Sequence, residues 1–156
     1  MGKSSIDMNE LPGRILGVDP GEKRIGLAIS DPSQTIASPL GVIEHRSMKE
    51  NAQLIITKAV ENDVVLIVLG YADDWNGNPT YQGKSSIRLR DEILSAGNIQ
   101  VELWSEYGST KEAQSARRKM NTSRKKRAGH LDDLAATVIL QSYLDSLMKG
   151  ELDEFE

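Results

Sequence analysis

A short apolar run, Ile15-Leu16-Gly17-Val18-Asp19, is stopped by Pro20-Gly21, and Ile25, Leu27 and Ile29 then alternate with Gly26, Ala28 and Ser30. The first pattern is that of a buried strand, the second that of a strand with one buried face, and the Pro-Gly pair between them is turn chemistry. A strand answered by another strand, rather than by a helix, excludes the dinucleotide-binding βαβ arrangement, and no G-x-G-x-x-G follows the first strand. The chain therefore opens on an antiparallel hairpin. A third strand over Thr35 to Ile43 extends it, with Pro39 marking an edge position or a bulge.

Downstream the period changes. Ser47-Met48-Lys49-Glu50 has the form of a capping box, and Met48, Ala52, Ile55, Ile56, Ala59 and Val60 keep the spacing of one helical face. Val64 to Leu69 is an uninterrupted apolar, β-branched run, as expected of a strand covered on both faces. Asn78-Pro79 reads as an N-cap and first-turn pair opening a helix to about Ala96, followed by a strand over Ile99 to Trp104. Ser109-Thr110-Lys111-Glu112 is a second capping-box pattern, and a final helix from about Asp132 carries Ala135, Ala136, Ile139, Tyr143 and Leu147 on one stripe. The predicted order β-β-β-α-β-α-β-α-α implies an α/β fold: a mixed sheet, a three-strand antiparallel meander plus parallel strands, flanked by helices. At 156 residues the chain suits one domain, placed over Arg14 to Lys149, with 1–13 and 150–156 as loose termini.

Asp19 stands at the end of a buried strand, where the chain turns. An Asp before a turn often does no more than cap the backbone. A carboxylate fixed at a strand end also suits a hard cation such as Mg²⁺, which takes one or two carboxylates plus substrate phosphate oxygens. Two partners are available. Glu106 follows the Ile99 to Trp104 strand, and Asp132 and Asp133 open the last helix, where the helix dipole alone would favour acidic residues. Asp132 shares the stripe of Ala135, Ala136, Ile139 and Tyr143, while Asp133 is in register with Ala136, Leu140 and Leu144, so periodicity prefers Asp132 only slightly.

Net charge is −4, from 19 Lys plus Arg against 23 Asp plus Glu, an average that argues against a nucleic-acid binder. The distribution argues otherwise. Arg117, Arg118, Lys119, Arg124, Lys125, Lys126 and Arg127 gather seven of the 19 basic residues in a run with no acidic member. Such a run can be a solvated loop. Directly before an acidic metal site, it suits a polyanionic substrate, and its Asn121, Thr122 and Ser123 add hydrogen bonds to phosphate. Arg24 follows the first turn closely enough to reach Asp19 or a phosphate.

Other features are excluded or read as structural. The chain has no Cys, so disulfides, thiolate metal sites and a Cys nucleophile are ruled out. Gly77 to Ser85 imitates a P-loop, but five residues separate Gly77 from Gly83 where four are needed, and Pro79 removes an amide donor. Aromatic residues are 4% of the chain, and Trp75 and Trp104 read as packing rather than base-stacking groups. His130 reads equally well as a loop residue or as support for a metal. No apolar run approaches the roughly 20 residues of a membrane span, and the N-terminus lacks an apolar signal segment. A soluble, cytoplasmic protein is expected.

Asp19-Pro-Gly-Glu-Lys-Arg-Ile-Gly-Leu-Ala-Ile-Ser-Asp31 resembles the opening signature of the YqgF family, also called RuvX, described as Holliday junction resolvases or pre-16S rRNA nucleases. The resemblance continues through Ile67-Val-Leu-Gly-Tyr71, Asn76-Gly77, Ser109-Thr-Lys-Glu-Ala113 and Leu131 to Asp145. It implies an RNase H-like fold and an acidic triad of Asp19, Glu106 and Asp132, serving both as catalytic residues and as ligands for Mg²⁺ or Mn²⁺. The chain departs from the family pattern at Ser105-Glu106-Tyr107, where Asp-Glu-Arg is usual, and at Ala72, where a Pro is usual.

These readings lead to an expected metal-dependent hydrolysis of phosphodiester bonds in structured RNA or branched DNA. Two ions roughly 3.5–4 Å apart are typical of such sites. The alternative, motivated by Ser105 and Tyr107, is a non-catalytic nucleic-acid or ribosome-associated binding protein on the same scaffold. A nucleotide-binding ATPase ranks third, since that fold places two domains around its nucleotide. A monomer or a homodimer is expected.

Overall fold

Five strands form one sheet in the order β3-β2-β1-β4-β5. A computed structural model of the chain describes residues 13–73, 78–105 and 132–154, with only the backbone described for Asp132 and for 150–154. The elements are β1 (Arg14–Pro20), β2 (Arg24–Ser30), β3 (Ala37–Glu44), α1 (Met48–Glu61), β4 (Val64–Tyr71), α2 (Tyr81–Ala96), β5 (Gln100–Ser105) and α3 (Asp132–Glu154). β1 pairs antiparallel with β2, as does β2 with β3, while β4 runs parallel to both β1 and β5. This is the expected meander joined to parallel strands.

The pleat sorts β1 into two cores. Leu16 and Val18 join Ile25, Leu27, Ile67 and Leu69 beneath α1 and α2, whereas Ile15 joins Ala28, Val68, Ala136, Leu140 and Leu144 beneath α3. β1 and β4 are thus covered on both faces, which is why their sequences are nearly continuous hydrophobic runs. Gly17 lies on the α3 face, where a Cβ would come 2.7 Å from Leu140 Cβ and 3.2 Å from the Ala136 carbonyl oxygen. Only a residue without a side chain lets α3 settle this closely on the central strand.

Local signals account for most boundaries. Ser47 caps α1, its Oγ accepting from Glu50 N–H at 3.1 Å. Pro39 sits on the edge strand β3 beside a register shift between Leu27 and Ala28, so both features it foreshadowed are present. The β2–β3 turn is organised by Asp31, whose Oδ1 accepts from Thr35 N–H (2.8 Å) and Ile36 N–H (2.9 Å), with Ser33 Oγ donating to Oδ2.

Two boundaries differ from expectation. α2 begins at Tyr81, capped by Thr80 rather than Asn78: Thr80 Oγ1 accepts from Gly83 N–H at 3.1 Å, and Pro79 instead bridges Asp73. The Thr hydroxyl can do both jobs of an anchor, since it also donates to the Ala72 carbonyl at 3.0 Å. α3 runs on to Glu154, past Lys149, through residues expected to be loose. Glu151, Leu152 and Glu154 are good helix formers, so a helix already nucleated upstream continues through them. The helix expected after Ser109 lies outside the described residues.

Candidate active site

The parallel strands β1, β4 and β5 end at the same edge of the sheet, and Asp19 is the penultimate residue of β1. It is 9% exposed. By pleat parity it shares the α3 face with Ile15 and Gly17, since side chains on a strand alternate in period two. Across the ladder it is paired with Gly26 on β2, and on the other side the register carries it level with Gly70 on β4, itself opposite Trp104 of β5. The neighbours of the carboxylate on both adjacent strands are therefore glycines, which put no side chain beside it.

α3 brings a second aspartate to this end. Ala136 and Leu140 lie over Gly17, while farther along the helix Gln141 Oε1 accepts from Ala37 N–H (2.9 Å) and Gln141 Nε2 donates to the Thr35 carbonyl (3.0 Å). Ala37 pairs with Ser30, whose Oγ accepts from Ile15 N–H, so the helix advances toward the Ile15 end of the sheet. Its N-terminus, opened by Asp132 one turn before Ala136, accordingly lies toward the Asp19 end, on the same face. The buried residues of α3 include Ala136, Ile139, Leu140, Tyr143 and Leu144, a stripe wide enough to serve both Asp132 and Asp133. Asp133 is half-buried, and its carbonyl accepts from Thr137 Oγ1 at 2.6 Å.

β5 ends on Ser105, the residue before Glu106, so the strand end expected to carry the third carboxylate is level with the end of β4 through the Tyr71–Ser105 pair. Glu106, His130, Trp75 and the basic residues 117–127 lie outside the described residues. Among the described residues no three His, Asp or Glu side chains come together. Arg24 opens β2, exposed, two residues before Gly26, which parity places on the Asp19 face.

Sequence reasoning missed the clasp between β5 and α3. Tyr143 Oη donates to Glu102 Oε2 at 2.8 Å, and Trp104 Nε1 donates to Ser142 Oγ at 3.3 Å. The Trp104 and Tyr143 rings meet edge-to-face, 5.2 Å between centroids at 89°. Trp104 is a packing residue, as expected. Burial and the adjacent Glu102 carboxylate push the Tyr143 phenol well above its usual range. A charged Glu102 and an indole-bearing Trp104 alternating on one face of an edge strand were the available signal. The P-loop imitation is also explained: a Cβ at Gly83 would lie 2.1 Å from the Ala72 carbonyl oxygen, so this glycine serves helix–strand contact, and Lys84 is exposed in the first turn of α2.

Residues 13–146 match the family described as RuvX, Holliday junction resolvase. The chain belongs to the RuvX family. A protein of Thermoanaerobacter pseudethanolicus named "Putative pre-16S rRNA nuclease" is 41% identical over 134 residues, 85% of this chain and 96% of that protein. A relative of the same name from Clostridium novyi is 35% identical over 134 residues, 86% of this chain and 99% of that one. Among solved structures, Thermus thermophilus RuvC in complex with Holliday junction substrate matches with a TM-score of 0.57 at 13% identity, covering 88% of this chain and 96% of that chain. The Fowlpox virus resolvase complex with Holliday junction DNA matches at 0.51 with 16% identity, covering 86% and 99%. The fold is RNase H-like, as the resemblance implied. RuvX membership makes the chain a hydrolase acting on nucleic acids. No helix among the described residues is long and apolar enough to cross a membrane.

Proposed function

We propose that this RuvX protein is a divalent-metal-dependent endonuclease that trims precursor ribosomal RNA. The observation that carries the reading is the setting of Asp19: nearly buried at the end of the central strand, flanked across the ladder by Gly26 and Gly70, and on the face and end where Asp132 opens α3. Asp19, Glu106 and Asp132 form an all-oxygen, all-carboxylate donor set, which fits Mg²⁺ or Mn²⁺ and disfavours softer metals. A bound ion of this class supplies positive charge where negative charge develops on the phosphate oxygens.

The chain's own residues do the rest. Asp19 presents its carboxylate from a fixed backbone, because β1 is paired on both sides. Arg24 and the basic residues Arg117, Arg118, Lys119, Arg124, Lys125, Lys126 and Arg127 hold the phosphate backbone, a contact that positions the strand without reading its bases. Phosphate contacts alone do not separate RNA from DNA. The relatives at 35–41% identity carry a ribosomal RNA name, whereas the junction-bound structures at 13–16% speak for the fold, so precursor rRNA is the favoured substrate.

The test is a cleavage assay offering a pre-16S 5′ segment and a four-way DNA junction side by side, with Mg²⁺, with Mn²⁺ and with EDTA. Cleavage of the RNA alone, abolished by EDTA, is the expected result. Preference for the junction would reverse the substrate assignment. Binding of either nucleic acid with no cleavage under any metal would favour the non-catalytic reading that Ser105 and Tyr107 motivate.

A further inference from the structure

On the sheet face opposite Asp19, beneath the β1–β2 turn, lies a cavity of about 310 Å³ whose rim includes Pro20, Gly21 and Glu22. Its floor is apolar, formed by Ile25, Met48 and Leu89. Its α2 wall is polar. Gln82, Ser85 and Arg88 fall on successive turns of one helical face, and none of these side chains has a hydrogen bond or ion pair among the described residues. The neighbouring acid, Asp91, is taken by Arg90 at 3.2 Å. Tyr81 lines the cavity and is 77% exposed, so its ring is open to a ligand. Across from it, the His45 ring is anchored through Nδ1 to Asn51 Nδ2 at 3.1 Å, and Asn51, fully buried, also accepts from Arg46 N–H at 2.8 Å.

We infer that this cavity is a nucleotide subsite, which takes one base and its phosphate from the strand bound at Asp19. The volume lies at the lower end of small-molecule pockets, room for a single nucleotide and not for a duplex. Tyr81 offers a stacking face, which any base can use. Gln82 and Ser85 offer mixed donors and acceptors to a base edge, and Arg88 offers an uncommitted guanidinium to a phosphate. The strand is the source because Pro20 and Gly21 on the rim directly follow Asp19 in the chain, so the turn that closes β1 separates the cavity from the site by no more than its own width. This assignment of a source rests on the proposed nuclease reading. Nucleotide binding itself does not.

The experiment is an NMR titration of the full chain with 5′-GMP, 5′-UMP, guanosine and inorganic phosphate, repeated for Arg88→Gln, Tyr81→Ala and the control Arg90→Gln. Both nucleotides should shift the amides of His45, Asn51, Gln82 and Ser85. Affinity should fall about tenfold in Arg88→Gln and in Tyr81→Ala, equivalent to losing one charged or stacking contact, and stay unchanged in Arg90→Gln. Phosphate alone should leave these amides unmoved. No shift at the cavity, or equal shifts in all variants, overturns the site. A short single-stranded oligonucleotide given to the Asp19→Asn protein, where cleavage cannot interfere, should shift the same amides, and Arg88→Gln should raise KM more than it lowers kcat in the unaltered background. Mononucleotide binding with no effect on oligonucleotide binding or KM overturns the strand as the source. A wild-type protein that cleaves nothing yet shows the oligonucleotide shifts overturns the nuclease reading and keeps the subsite.

Discussion

Ser105 Oγ donates a 2.9 Å hydrogen bond to Oδ1 of Asp73, tying the last residue of β5 to the chain that leaves β4. Ser105 precedes Glu106, so this bond holds the backbone at the point where a proposed ligand begins. It also gives the departure from the family pattern a physical sense. An Asp at position 105 would set a second carboxylate against Asp73 with no proton between them, whereas Ser supplies the donor.

Ser105→Asp should therefore lower both stability and cleavage. Two carboxylates at hydrogen-bond distance cannot both ionise freely, and the expected cost is about 1 kcal/mol or more. Asp73→Asn should recover most of that loss in the double variant, because an amide can donate to the new carboxylate. Urea denaturation of the four proteins in the cycle measures the coupling; additive losses would show that the two residues act independently.

Gly17→Ala tests the seat of α3. The added Cβ would meet Leu140 Cβ and the Ala136 carbonyl, backbone and core atoms that cannot simply rotate away. A loss of about 1–3 kcal/mol is expected, the usual cost of overpacking. Cleavage should fall further than stability explains, because lifting α3 moves Asp132 relative to Asp19. Denaturation and cleavage under conditions where the variant remains folded separate the two effects.

Hydrogen bonds from Ile36, Ser33 and Thr35 hold the Asp31 carboxyl at about 2, below its ordinary 3.8. A depressed folded-state value means that Asp31 contributes stability above pH 4 and loses it as pH falls from about 4 toward 2. The stability gap between wild type and Asp31→Asn should accordingly be full at pH 5 and close toward pH 2. Urea midpoints across that range check it, and a gap independent of pH would refute the role given to the charge.

Tyr143→Phe should cost about 1–2 kcal/mol, since the Glu102 carboxylate loses its 2.8 Å donor while the Trp104 contact remains. The raised phenol has the opposite pH sense to Asp31. Its contribution is complete below about pH 10 and disappears as pH rises through the folded-state value. Wild type should thus lose its advantage over Tyr143→Phe only in strongly alkaline solution, as followed by denaturation and tyrosinate absorbance.

The sheet was legible where periodicity is unambiguous. Ile15 to Asp19, the alternation from Ile25 to Ile29 and the run from Val64 to Leu69 each announce a strand, and Pro39 announces the edge. The start of α2 was not, because Asn78-Pro79 and Thr80 are all acceptable helix openers and only the Ala72 carbonyl, eight residues away, selects Thr80. At the site, Asp19 was legible from its strand and turn. The glycine slot around it was not, because Gly26 and Gly70 become its neighbours only through register. The Glu102–Tyr143 and Ser105–Asp73 bonds join residues 41 and 32 positions apart, beyond the reach of any local pattern.

The central claim is that Asp19 is part of a nuclease site and not merely a turn residue. Its most direct test compares wild type with Asp19→Asn in cleavage of the pre-16S 5′ segment with Mg²⁺ or Mn²⁺, alongside binding of the same RNA at fixed salt and thermal unfolding. Loss of cleavage by at least about a hundredfold, the upper end of what losing even an outer support of a metal site costs, with binding and unfolding near wild type, is the predicted result. Cleavage by Asp19→Asn at the wild-type rate would contradict it.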